Sequence, residues 1–166
     1  MLLIDRIDEF KKIARIAFDD DGTHLTLYIL NINGVSKLQP CFWKNQDDKI
    51  ESIESLKKMI ASGELREYIF IAEAWIVEKE LSSSIKSVTD HIGEMGSLEH
   101  YPERKESLII EYASYKANKS YIAEINRDND KVTLGDWTTW DKSHSFNGLV
   151  YGKMQNLFEI SKAASN

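Results

Sequence analysis

Tyr68-Ile69-Phe70-Ile71-Ala72-Glu73-Ala74-Trp75-Ile76-Val77 carries a single charge in an otherwise apolar run. Its length and its β-branched and aromatic content read as a strand. The lack of polar alternation reads as burial on both faces, the position of a central strand. Glu73 interrupts it. A carboxylate taken out of water needs a partner, and Arg104 and Arg127 are the candidates. Parity along the strand puts Glu73 on one face with Ile69, Ile71, Trp75 and Val77.

Upstream, Ile50, Ile53, Leu56, Met59 and Ile60 recur at helical spacing, which predicts a helix over 47–62. Asp47 or Asp48 is expected to cap its start, and Gly63 stands where a left-handed C-terminal cap belongs. Before it, Asn33-Gly34 separates two β-rich runs, His24 to Ile32 and Val35 to Trp43. Both central residues of a type I′ turn need positive φ, so Asn-Gly there predicts a hairpin. Residues 5–18 read as a helix with an apolar stripe of Leu3, Ile7, Phe10, Ala14 and Ala17, with Ile13 beside it. Asp5 is placed to cap it, and Asp19-Asp20-Asp21-Gly22 to end it.

Downstream, residues 80–103 lose the strand character. Ser82 to Ser84, Gly93, Gly96 and Pro102 mark a long connection with room for a short helix from Ser84 to Ile92. Leu108 to Tyr115, Ser120 to Arg127 and Lys131 to Leu134 then read as a meander of strands. The stretch from Trp137 to Gly148 reads as turn-rich, and Met154, Leu157 and Phe158 as a last short helix. Without internal repeats or a change in composition, the 166 residues are expected to form a single domain. The fold expected is α+β, an antiparallel sheet of about five to six strands with two to three helices packed on it.

Charge and cysteine usage bound the partners. The net charge is -6, from 27 acidic and 21 basic side chains. Lys57-Lys58 and Arg104-Lys105 are too sparse for a phosphate-binding face, so nucleic acid is not expected as a partner. No window approaches the ~20 apolar residues of a membrane span, and no membrane partner is expected. Cys41 alone cannot staple the fold, which makes the cytoplasm the default compartment.

The chemistry-bearing candidates are one glutamate near the middle of each of three expected strands: Glu73, Glu111 and Glu124. If the strands pair in order, the carboxylates can converge. Converging acids raise one another's pKa or bind a hard cation, the requirement of acid–base or metal-assisted hydrolysis. The competing reading pairs each with a cation or leaves it on a solvated sheet face. His91 and His100 lie in the long connection near Arg104, but His-x8-His has no zinc spacing and no third ligand nearby. Asp19-Asp20-Asp21-Gly22 departs from a calcium loop at Tyr28, where the chelating Glu would stand. Cys41, between Pro40 and Phe42, reads as a small buried hydrophobe more readily than as a nucleophile. No glycine-rich phosphate loop is present, and neither a cofactor nor a bound metal is expected. Trp137, Trp140, Phe146 and Tyr151 form a late aromatic cluster that suits either a core end or a ligand surface.

Ala72-Glu73-Ala74-Trp75, followed after a connection by Tyr101-Pro102-Glu103-Arg104-Lys105-Glu106, resembles a pattern in small uncharacterised bacterial and phage proteins. There a Glu-Ala-Trp strand precedes Pro-x-Arg-x-Glu and a further apolar strand. The likeness covers about residues 66–115 and implies no activity. It does direct attention to Glu73, Trp75, Arg104 and Glu106 as a constellation.

Two functions are therefore expected from the residues. The first is a non-enzymatic binding or accessory protein with a protein partner or self-association into a homo-oligomer. The alternative is a small hydrolase, carboxylate-based or dependent on a divalent metal, using Glu73, Glu111 and Glu124 with His100 and Arg104.

Overall fold

The computed structural model describes residues 2–80, 94, 104–141, 147–151, 157 and 158. A 3-10 turn (Leu3–Arg6) runs into α1 (Ile7–Asp21); β1 (Leu27–Ile32) and β2 (Val35–Pro40) follow, then α2 (Gln46–Ala61). The remaining elements are strands: β3 (Leu65–Glu80), β4 (Lys105–Ser114), β5 (Asn118–Asp128), β6 (Lys131–Leu134), β7 (Thr138–Asp141) and β8 (Asn147–Tyr151). The architecture is α+β, as expected.

All strand pairs are antiparallel, in the order β2-β1-β3-β4-β5-β6, with β7 also on β5 and β8 also on β3. The two long strands share out their outer edges. β1 pairs β3 through Leu65 to Ile71 and β8 pairs it from Ile76 to Glu80. On β5, β7 takes Lys119 to Ile122 and β6 takes Ile125 to Asp128. The apolar run 68–77 is thus central, with β4 on one side along its length. Among the described residues the sheet has eight strands against the five to six expected. The additions, β7 and β8, lie where a turn-rich stretch is expected. Four- and five-residue strands form because a neighbour's backbone offers partners, and their side chains need show no alternation.

α1 and α2 cover opposite faces. Phe10, Ala14 and Phe18 of α1 pack on Ile29, Ile69, Ile71, Leu108, Ile110, Tyr121 and Ile125. Leu56 and Ile60 of α2 pack on the other face against Tyr28, Leu30, Tyr68, Phe70 and Ala113, joined by Leu157 and Phe158. Each large side chain so buried contributes on the order of 2 kcal/mol. The stripe of α1 is largely the one expected, with Leu3, Phe10 and Ala14 buried and Ile7 packed against them; it extends to Phe18, whereas Ile13 beside it is 52% exposed. Phe18 continues the four-residue spacing of Phe10 and Ala14.

Local signals behave as their chemistry requires. Asn33 and Gly34 have φ of 51° and 87°, the type I′ turn of the β1–β2 hairpin. Gly22 ends α1 in the left-handed region, its N–H donating to the Phe18 carbonyl. Gly63, at φ 79°, follows α2 as expected. The start of α2 differs: Asn45, not Asp47 or Asp48, is the cap, its Oδ1 accepting the Asp48 N–H at 2.8 Å. Aspartate in the first turn instead complements the helix dipole.

Candidate functional site

The register assigns every strand residue to a face. Glu73 lies opposite Leu108, and Leu108 opposite Ala123, on the face covered by α1. Glu111 lies opposite Phe70 and Ser120, and Glu124 opposite Ser107, on the α2 face. The three glutamates do not converge. Glu73 is separated from the other two by the sheet. Glu111 and Glu124 stand four positions apart along paired strands, about 13 Å at ~3.3 Å per residue. His100 lies outside the described residues, as do His91 and the expected helix from Ser84 to Ile92.

Each of the three has its own environment. Glu73 Oε1 accepts the Thr23 hydroxyl at 2.9 Å and the His24 N–H at 3.0 Å. The expected partners are different: Arg127 feels the Glu73 charge, but its guanidinium fork is taken by Glu106. Glu111 is fully buried, with the Tyr68 hydroxyl 3.5 Å from Oε1, and that same hydroxyl accepts the Leu157 N–H at 3.2 Å. Glu124 is exposed, with Lys105 Nζ 4.0 Å away.

Around Glu111 the interior is polar in a way that composition does not reveal. The buried Tyr28 hydroxyl has no hydrogen-bond partner among the described residues. Burial, then the charges of Cys41 and Glu111, push its pKa far above the ordinary phenol value. Cys41 packs against this α2-face core. Burial pushes its thiol up to about 11, with Lys49 pulling weakly the other way, so at neutral pH it is a thiol and not a nucleophilic thiolate.

The four residues singled out by the Glu-Ala-Trp and Pro-x-Arg-x-Glu pattern do meet. Trp75 lies opposite Glu106 on the α1 face, two positions beyond the Glu73–Leu108 pair. The Arg104 guanidinium sits 5.0 Å from the Trp75 ring centroid, a cation–π distance. Arg127 Nε and Nη2 donate to the two oxygens of Glu106 at 2.7 and 2.6 Å, a bidentate pair. This cluster occupies the part of β3, residues 72–75, that β4 pairs on one edge, while on the other edge it falls between the end of β1 at Ile71 and the start of β8 at Ile76. Glu73 and Glu106 share a face at diagonal positions, ~7–8 Å apart. Both are engaged: Glu73 holds a turn, and both oxygens of Glu106 hold Arg127.

Sequence reasoning missed Glu67. It is 2% exposed, with Oε1 accepting the Leu3 N–H at 2.9 Å and Oε2 accepting Asn31 Nδ2 at 2.7 Å. Asn31 Oδ1 in turn accepts the Gly34 N–H at 3.0 Å. One carboxylate so ties the amino terminus, β3, β1 and the hairpin turn together. Parity was the available signal, because Glu67 shares its face with Ile69, Ile71 and Glu73. Starting the strand at Tyr68 hid it.

The late aromatics divide. Trp137 packs on the α1-face core, with the Arg15 guanidinium 5.9 Å from its ring centroid, while the side chains of Trp140, Phe146 and Tyr151 lie outside the described residues. Among the described residues no group of three His, Cys, Asp or Glu side chains is placed to hold a metal ion, and no helix is long and apolar enough to cross a membrane. Comparison with protein-family profiles, curated proteins and solved structures returns no match.

Proposed function

We propose that this chain is a non-enzymatic binding or accessory protein acting in the cytoplasm, and that the Trp75–Arg104–Glu106–Arg127 cluster is the surface that meets its protein partner. The observation that carries the reading is the engagement of the acids. Glu73 accepts two hydrogen bonds from the turn after α1, and Glu106 accepts two from Arg127. A hydrolytic pair needs two available carboxyls facing one reacting atom; Glu73 keeps Oε2, but both oxygens of the nearby Glu106 are held by Arg127. Tryptophan and arginine are, by contrast, the residues that dominate protein contact energies. The net charge of -6 favours a protein partner over nucleic acid.

Capture from a lysate of its source on immobilised protein tests the proposal. A partner retained by the wild type and lost with Trp75→Ala and with Arg127→Glu, both still folded, supports it. Hydrolysis of generic ester or phosphoester substrates, abolished by Glu73→Gln or Glu111→Gln, would replace it with the hydrolase alternative.

A further inference from the structure

β2 is the edge strand at one side of the sheet, and among the described residues no strand pairs its outer side. The hairpin geometry says which groups point there. In a hairpin with a two-residue turn, the flanking pair, here Ile32 and Val35, exchanges backbone hydrogen bonds, and bonding alternates from then on. Val35, Lys37 and Gln39 therefore turn their N–H and C=O groups to β1. Ser36 and Leu38 turn theirs outward, and Pro40 its C=O alone. The Cys41 N–H donates to the Thr26 carbonyl at 2.9 Å, which continues the same alternation past the end of the strand. An edge with free donors and acceptors is a template for another strand.

β2 and the elements next to it carry exposed apolar side chains. Leu38 lies opposite Ile29, a core residue of the α1 face, so it projects on that side of the sheet. On α1, Lys11 lies over the Tyr121 ring and Arg15 donates to the carbonyls of Leu134 and Gly135, so this flank of the helix faces β5 and β6. At 100° per residue, Ile13 falls on the opposite flank, toward the hairpin, whereas Ile16 points away from the sheet. Ile13, Val35, Leu38 and Phe42 are 52%, 68%, 59% and 73% exposed. Exposed apolar side chains on and beside an open edge suit a contact surface.

We infer that the outer edge of β2 pairs, antiparallel and about a two-fold axis through Leu38, with the same edge of a second copy of this chain. Charge favours a copy: Asn33 to Trp43 contains no acid and one lysine, in a chain whose net charge is -6. Two acidic chains can meet here without bringing carboxylates together. The register follows from Lys37 and Pro40. With Leu38 on the axis, the two Leu38 residues exchange two backbone bonds, and each Ser36 N–H donates to the Pro40 carbonyl of the second copy. The N–H that proline lacks is needed only for a bond to the Ser36 carbonyl. Lys37 then stands opposite Gln39. Centring the axis on Lys37 sets two ammonium groups face to face, which is destabilising. The inference does not rest on the binding function proposed above, since it concerns oligomeric state and not partner capture.

Sedimentation velocity on the full chain, over a wide concentration range, tests it. A concentration-dependent dimer is expected, weakened about tenfold or more by Leu38→Asp, which places two like charges on the axis. Leu38 is exposed, so the variant should keep the wild-type circular dichroism spectrum. In a Cys41→Ser background, Leu38→Cys should form a symmetric disulfide under mild oxidation, since Cα atoms of a hydrogen-bonded pair lie ~5.5 Å apart. Ser36→Cys, opposite Pro40, should not. A monomer at every concentration, a dimer indifferent to Leu38→Asp, or equal cross-linking through Ser36→Cys would overturn the inference.

Discussion

Glu67 and Glu73 stand on the same strand and the same face, yet they hold opposite ends of one helix under different conditions. Glu67 accepts the Leu3 N–H where the chain enters the 3-10 turn before α1, and it is closed off from water. Glu73 accepts the Thr23 hydroxyl and the His24 N–H just after Gly22 ends α1, and it is only half-buried. The two carboxylates bracket α1 on the sheet. The difference is one of solvation. A buried carboxylate has its bonding partners and nothing else, whereas water can replace the partners of a half-buried one. An acid in an apolar strand therefore need not be catalytic. At these two positions its work is to place a helix.

The contrast can be broken by experiment, most sharply at the buried end. Glu67→Ala leaves the Leu3 N–H and Asn31 Nδ2 without acceptors and should lower unfolding free energy by about 3 kcal/mol in urea denaturation. A loss no larger than that at Glu73 would erase the distinction. Glu67→Gln retains an acceptor for Leu3 but points an amide N–H2 at the Asn31 amide. Turning Asn31 over to answer it sacrifices the Gly34 contact, so a loss of about 2 kcal/mol is expected by the same measurement. Glu73→Ala should cost about 1 kcal/mol, because water reaches the freed Thr23 and His24 donors. Hydrogen exchange should accelerate at His24 and leave Leu3 unchanged; acceleration at both would show that the helix ends are coupled.

The smaller effects separate Glu73 from the cap beside it. Gly22 holds φ at 69°, and a Cβ added there meets no atom within 4 Å, so only backbone strain opposes Gly22→Ala. The thermal midpoint should fall by the equivalent of about 1 kcal/mol. If this exceeds the Glu73→Ala loss several-fold, the glycine and not the carboxylate ends α1. Asp19, Asp20 and Asp21 crowd acid onto the negative end of the helix dipole, with no basic residue in the last turn. Asp20→Lys should raise stability by about 0.5 kcal/mol, diminishing in high salt.

Much of the fold was legible because it depends on neighbours in sequence. The Asn33-Gly34 turn, the glycine stops after both helices, and the apolar run of β3 all express local conformational preference or periodicity. β7 and β8 were not legible, because they exist through what β5 and β3 present to them. The site divided along the same line. Trp75, Arg104 and Glu106 were picked out by their pattern and do stand together. The trio Glu73, Glu111 and Glu124 was picked out by mid-strand position, and one register split it across two faces. Arg127 could be named from sequence as a possible partner of Glu73, but only the fold could assign it to Glu106.

By itself the sequence determined where α1, α2, the β1–β2 hairpin and the long strands form, because those choices rest on φ preference and the spacing of apolar residues. Tertiary structure alone decided which face each acid occupies and which donor answers it. A one-residue change in pairing moves every side chain of a strand to the other side of the sheet. No local energy in the chain records that choice; it is set when α1 and α2 each cover a face.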